Sequence, residues 1–185
     1  NCSHKNRFRS YPISLRTVNW IKFLSFYKID KASINQFLYE DSIFLSKNIE
    51  YHLLGNHVLE NSFSLLYISF FFKNKKLYKQ SKLILFEQLD EQILDDGSHF
   101  ELSTMYHCII LYNLLESINF LNNNNWIQDN VLLDYLKIKA RAMLGWLKSI
   151  SYKSGMIPLL NDSSNDIIRK VDKIFNYAQD LDLYF

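Results

Sequence analysis

The sequence predicts an all-α protein built from helical hairpins. Three observations carry that prediction. Apolar residues recur at three- and four-residue spacing through most of the chain, which is the period of one face of a helix. Gly and Pro, which break helices and punctuate turns, number only 4 and 2 among 185 residues, so long helices are favoured over many short strands. Hydrophobic residues make up 48% and aromatic residues 16%, enough for a packed core and against disorder.

The elements follow in order. Tyr11-Pro12 punctuates the start, and Ser14 is placed to cap a first helix. That helix carries Leu15, Val18, Ile21 and Leu24, with Trp20, Phe23 and Tyr27 widening the face. Asp30 or Ser33 begins a second helix, whose stripe is Ile34, Phe37, Leu38, Leu45 and Ile49. Gly55 interrupts, and Asn56-His57 follow it. A third helix through Phe63 to Phe72 is apolar nearly all round and is predicted to be buried on more than one side. After the polar turn Lys73-Asn74-Lys75-Lys76, a fourth helix carries Tyr78, Leu85, Phe86, Leu89 and Ile93.

Asp95-Asp96-Gly97-Ser98 marks a tight turn, and a fifth helix covers about Leu102 to Leu121. Asn122 to Asn125 reads as a polar loop rather than a domain boundary, because the same pattern resumes after it. A sixth helix carries Leu132, Tyr135, Leu136, Met143, Trp146, Leu147 and Ile150, and Lys153-Ser154-Gly155 ends it. Ile157 to Asp162 is extended, since the residue before Pro158 avoids the helical region. A final helix is predicted from Asn165 to Tyr177. Helices paired in this way fit an αα solenoid, a bundle or an α/α toroid, and periodicity does not choose among them.

Composition excludes several classes of partner. The net charge of +2, from 21 basic and 19 acidic residues, is too small and dispersed for nucleic acid. Lys5, Arg7 and Arg9 cluster near the start and read as a solvated terminal segment, the alternative being a surface that meets an anionic polymer. Cys2 and Cys108 give no disulfide framework, and Cys108 sits in an apolar run as a small core residue. The longest nearly uncharged run, Val58 to Phe72, is broken by Glu60 and is shorter than the roughly 20 residues of a membrane helix. The start, Asn1-Cys2-Ser3-His4, lacks an initiator Met and an apolar signal segment, so the chain is expected to have been cut from a longer one, with any export signal outside it.

Two stretches concentrate the polar side chains. The first runs from Tyr51 to Asn61 and includes His52, Asn56, His57 and Glu60. Asn56 and His57 fall at a helix start, where free N–H groups and the positive dipole end suit an anionic ligand. His57 and Glu60, three apart, share a face. Alternatively Asn56 is only an N-cap and His57 a hydrogen-bonded interior side chain. The second stretch is Asp96-Gly97-Ser98-His99-Phe100-Glu101-Leu102-Ser103-Thr104-Met105-Tyr106-His107. A lone Tyr in such a helix is usually core, but two adjacent polar aromatics each need a buried partner. A metal is a poor reading, since His52 and His57 are five apart and no zinc motif is present. No phosphate-cradling Gly loop or Gly-x-Ser-x-Gly elbow points to a cofactor or a serine nucleophile.

Together the two stretches resemble the N-terminal domain of the heparinase II/III family, itself similar to the alginate and oligo-alginate lyases. The matching text is Tyr11-Pro12-Ile13-Ser14-Leu15-Arg16 with Asn19-Trp20, then Gly55-Asn56-His57-Val58-Leu59-Glu60-Asn61. It continues as Asp96-Gly97-Ser98-His99-Phe100-Glu101 into Met105-Tyr106-His107, and closes with Gly155-Met156-Ile157-Pro158-Leu159-Leu160-Asn161-Asp162. The resemblance implies an incomplete α/α toroid over residues 13–178, between an N-terminal extension at 1–12 and a tail at 179–185, and in the parent a following β-sandwich domain. It implies a polysaccharide lyase that cleaves acidic glycans containing uronic acid by β-elimination without a cofactor. Asn56 would bind the uronate carboxylate, and His57 would assist as base or charge neutraliser. Tyr106 would be general base, general acid or both. Glu60, His107, His99 and Glu101 would support them, with Asn161 and Asp162 lining the same cleft.

A phenol is a feeble base at neutral pH, so nearby positive charge or hydrogen-bond donors must favour the phenolate if Tyr106 is the base, and His57 and His107 could supply that where they come close to it. Without the β-sandwich this chain is expected to be inactive. A periplasmic or secreted parent is expected, although capsule-related relatives need not be exported. The rival reading is a non-catalytic module that binds an acidic glycan or serves as a helical scaffold.

Overall fold

The computed structural model describes residues 9–53, 55–164 and 167–184. Lys5, Arg7, Cys2 and the predicted helix start at Asn165 lie outside them. The order is α1 (Ser10–Tyr27), α2 (Ala32–Lys47), α3 (His57–Phe71), α4 (Lys75–Gln92), α5 (Thr104–Asn122), α6 (Asn130–Ile150) and α7 (Val171–Asp180). Among the described residues there is no strand, only an isolated antiparallel bridge between Ile93 and His99. None of the described helices is long and apolar enough to cross a membrane. The chain forms two compact units, Asn1–Gln88 and Leu89–Phe185, divided within α4.

In the first unit α1 packs against α2 and most extensively against α3. As its composition predicts, α3 is enclosed nearly all round, with every residue from Val58 to Phe70 buried. Complete burial of Leu59, Leu65, Leu66 and Ile68 contributes about 1.5–3 kcal/mol per side chain. Two of the three buried serines in this helix need no outside partner: Ser62 and Ser69 donate to the carbonyls of Leu59 and Leu66 at 2.7 Å, whereas Ser64 Oγ has no partner among the described residues. Arg16 clips α1 to α2 with two N–H donors on Asp41 Oδ2, at 2.8 and 3.1 Å.

Two expectations for α1 need correction. It opens at Ser10 behind an extended Arg9 that makes no side-chain cap. Ser14 donates instead to the Ser10 carbonyl at 3.0 Å. Pro12 is accommodated because first-turn N–H groups have no helical partner to lose. The buried stripe is Ile13, Thr17, Ile21 and Leu24. Leu15, Trp20, Phe23 and Tyr27 are 38–59% exposed and do not widen it. The three aromatics lie beside the stripe on the helix surface and contact one another, Phe23 tilted against Tyr27 at 4.8 Å between ring centres and Trp20 edge-on to Phe23 at 5.9 Å.

In the second unit α5 holds the centre, with α6 and α7 against it. α5 fully buries Ile110, Leu111, Leu114, Leu115 and Ile118, and α6, packed against it, fully buries Leu132, Leu136, Met143, Leu144 and Leu147. Both helices start on a side-chain cap: Ser103 Oγ accepts from Tyr106 N–H at 3.3 Å, and Asp129 Oδ1 from Leu132 N–H at 3.0 Å. Gly97 has φ +87°, and a Cβ there would lie 2.2 Å from the Ala142 carbonyl oxygen. The turn predicted at Asp95–Ser98 therefore rests directly on the backbone of α6. Cys108 is buried, as its apolar run implies, and burial pushes its thiol up to about 12.

Candidate functional site

Asn56 and His57 belong to the first unit and Tyr106 to the second. In the first, Asn56 occupies the N-cap position of α3 with helical backbone angles, φ −70° and ψ −7°, and its side chain does not cap. The residue is 5% exposed, and its Nδ2 donor has no partner among the described residues. His57, the first residue of α3, has a side chain 35% exposed. Its Nδ1 lies 3.4 Å from Glu50 Oε2, and its ring centre is 4.5 Å from that of Tyr11. His57 thus stands between a carboxylate and an aromatic ring. Glu60 is buried one turn further along α3.

A network holds Glu50 in place. The Glu50 N–H donates to Asn61 Oδ1 at 3.0 Å, and Asn61 Nδ2 lies 3.4 Å from the Glu50 carboxylate. Asn61 Nδ2 also donates to Ser14 Oγ at 3.1 Å, and Ser10 Oγ donates to the Asn48 carbonyl. These bonds tie α1, the segment 48–53 and α3 together. Beside them opens a cleft of about 600 Å³, with Arg9, Tyr11, Asn48, Glu50, His52 and His57 among its lining residues. Asn56 is not one of them.

In the second unit Tyr106 stands in the first turn of α5, half-buried, with its hydroxyl 3.4 Å from Asp162 Oδ2. The segment carrying Asp162 is fastened to the start of α5. Asn161 Nδ2 donates to the carbonyls of Glu101 and Leu102 at 3.1 and 3.2 Å. Ser103 Oγ donates to the Asp162 carbonyl at 3.0 Å, and Ser163 Oγ accepts from Met105 N–H at 3.2 Å. Partial desolvation, the negative charges of Asp162 and Glu101, and the hydrogen bond to Asp162 all raise the Tyr106 phenol above its usual range. Its surroundings therefore keep the proton on, and of the two roles the resemblance implies for Tyr106 they suit the general acid.

His99 and His107 are buried in the second unit at 1% and 0% exposure. His107 Nε2 donates to the Met143 carbonyl at 3.0 Å, and its ring packs 4.5 Å from Trp146. His99 Nε2 lies 3.0 Å from Gln92 Oε1. Burial lowers their pKa values to about 3 and about 4. His107 is therefore uncharged at neutral pH and does not supply positive charge near Tyr106. Among the described residues no group of three His, Cys, Asp or Glu side chains is arranged to hold a metal.

Sequence reasoning missed Glu50, which no helical spacing relates to His57, because residues 48–56 lie between helices. It also missed Ser103 and Ser163 as fasteners of the second half. The one available signal was the density of polar side chains from Glu50 to Asn61.

Comparison with known proteins gives the wider setting. The crystal structure of heparinase III superposes with a TM-score of 0.75 at 18% identity, covering 92% of this chain and 28% of that one. The crystal structure of the heparan sulfate lyase HepC from Pedobacter heparinus superposes with a TM-score of 0.67 at 18% identity, covering 98% and 30%. The chain thus spans under a third of the length of either protein, and the likeness is one of fold. The helical hairpins expected of an incomplete α/α toroid agree with it. No curated protein sequence matches this chain. Residues 5–184 match the family described as heparinase II/III N-terminus. On that match over nearly its whole length, the chain belongs to the heparinase II/III N-terminal family.

Proposed function

We propose that this chain is part of a polysaccharide lyase that cleaves uronic-acid-containing glycans by β-elimination. The observation that carries the reading is the pair at the start of α3: a buried amide donor on Asn56 with no described protein partner, followed directly by a partly exposed imidazole. Buried donors are nearly always satisfied, so one left open beside a helix N-terminus suits a bound carboxylate.

Elimination removes the proton at C5 of the uronate. The electron pair of that C–H bond becomes the C4=C5 double bond, and the C4–O bond breaks with its pair on the leaving oxygen. Charge accumulates on the carboxylate as the proton departs, and donors aimed there stabilise it by several kcal/mol. In this reading Asn56 binds the carboxylate and His57 takes the proton. Tyr106, whose environment keeps it protonated, gives its proton to the leaving oxygen. Asp162 and Glu101 maintain that state, Asn161 fixes the segment that carries Asp162, and Glu60, His99 and His107 support the two helix starts.

The substrate class is an acidic polysaccharide. A glycosaminoglycan is favoured, because the two structural neighbours are named as a heparinase and a heparan sulfate lyase. The parent is expected to carry a β-sandwich domain and to work in the periplasm or outside the cell, and this chain alone is expected to be inactive. The test is to incubate the full-length protein with heparinoids, alginate and related uronate polymers and follow the ultraviolet absorbance of the new double bond. The reading expects a signal that is lost in Tyr106→Phe and His57→Ala. Absence of product from every polymer with folded protein overturns it.

A further inference from the structure

We infer that Glu50 is the positioning residue for His57, holding the imidazole as its Nδ1–H tautomer so that Nε2 is left free to accept a proton. The inference deepens the lyase reading above and rests on it only for its catalytic consequence.

Three observations support it. First, Glu50 Oε2 lies 3.4 Å from His57 Nδ1. A carboxylate accepts and does not donate, so that contact is favourable only when Nδ1 bears the hydrogen. Second, the carboxylate is fixed rather than opportunistic. Its side chain is 9% exposed, and Asn61 grips the residue twice, accepting from its N–H at 3.0 Å and approaching Oε2 with Nδ2 at 3.4 Å. Asn61 is itself fully buried and anchored to Ser14 at 3.1 Å. Third, Tyr11 packs against the imidazole with ring centres 4.5 Å apart, so the ring has little freedom to turn over. With Nδ1 occupied, His57 Nε2 has no hydrogen-bond partner among the described residues, and His57 lines the 600 Å³ cleft.

The chemistry follows from the tautomer. A neutral imidazole has one donor and one acceptor nitrogen, and the partner of one sets the role of the other. Free imidazole side chains in water favour the Nε2–H form, which would present a donor to the cleft. A carboxylate on Nδ1 reverses that preference and stabilises the imidazolium formed once Nε2 takes a proton, the relation between the second and third members of a catalytic triad. Glu50 touches no substrate in this scheme. It sets which nitrogen does.

Two-bond proton–nitrogen correlation spectra of the histidine rings at neutral pH report the tautomer directly, on this chain and without any substrate. The expected result is a dominant Nδ1–H form for His57 in the wild type. Glu50→Ala should move it to the Nε2–H form and Glu50→Asp should retain much of the native signal, with far-ultraviolet circular dichroism checking the fold. A wild-type His57 that carries its hydrogen on Nε2 overturns the inference with no variant needed, as does a tautomer unchanged by Glu50→Ala. In the full-length protein the same substitution should lower kcat for uronate polymer by on the order of 10²-fold while KM changes little. Loss through KM alone would overturn the positioning role. A wild-type protein that cleaves no uronate polymer counts against the lyase reading, while the spectra still decide Glu50.

Discussion

The two buried histidines of the second unit make a prediction about acid that is independent of any activity. His99 and His107 are held neutral, with pKa values lowered to about 4 and about 3, because an imidazolium in either place would lose its water. Unfolded, each returns to about 6.5. Between these values the unfolded chain binds protons that the folded chain refuses. The stabilisation from keeping them neutral is therefore complete above about pH 6.5 and is lost as pH falls, down to about pH 4 for His99 and about pH 3 for His107. The slope approaches about 1.4 kcal/mol per pH unit for each group. From about pH 7 to about pH 5.5 the two histidines together remove about 2.5 kcal/mol, a large fraction of an ordinary domain's stability.

Urea unfolding across that range measures the loss, and His107→Gln isolates its origin. Glutamine keeps a donor for the Met143 carbonyl but cannot take a proton, so the variant should show about 1.2 kcal/mol less destabilisation over the same interval. Carboxylates titrate equally in both proteins and cancel in the difference. If wild type and variant lose stability in parallel, His107 is not a buried neutral group and the reasoning fails.

Other perturbations give sharper local tests. Gly97→Ala should lower the thermal midpoint by several degrees, because its Cβ would stand 2.2 Å from the Ala142 carbonyl oxygen at a φ of +87°; an unchanged melting curve refutes the contact. Leu66→Ala, at a fully buried position on α3, should cost about 2–5 kcal/mol in denaturant unfolding. Asp162→Asn removes both the charge and the carboxylate acceptor that raise the Tyr106 phenol, so that phenol should titrate at lower pH than in wild type. Carbon-13 labelling of the tyrosine ring would read the shift, and an identical titration would mean that Asp162 does not face it.

Much of the helical framework was legible because helix burial leaves a periodic trace. The all-round apolar run of α3 and the stripe of α6 were each readable from spacing. The face that α1 buries was not. Aromatics at Trp20, Phe23 and Tyr27 have the hydrophobicity of a core, but which side of a helix is covered depends on its neighbours, and here Thr17 is buried while Phe23 stays exposed. The start of α1 was misread because a proline looks the same before a helix as within its first turn. At the candidate site, Asn56, His57 and Tyr106 stood out as polar side chains in apolar surroundings. Glu50 did not, since its relation to His57 arises from a turn joining two helices. Asp162 was identified without its effect on the phenol, which follows from a contact spanning 56 positions.

The meeting of Gly97 with α6 bears on how this protein can change over generations. When two side chains collide, a second substitution can often shrink one of them and restore the fit. At this point the obstacle is the peptide group of Ala142, and every amino acid carries the same peptide group. No replacement at position 142 creates room, so a library randomised at both positions should return glycine at 97 whatever stands opposite it. The constraint leaves no correlated partner by which comparative statistics would notice it.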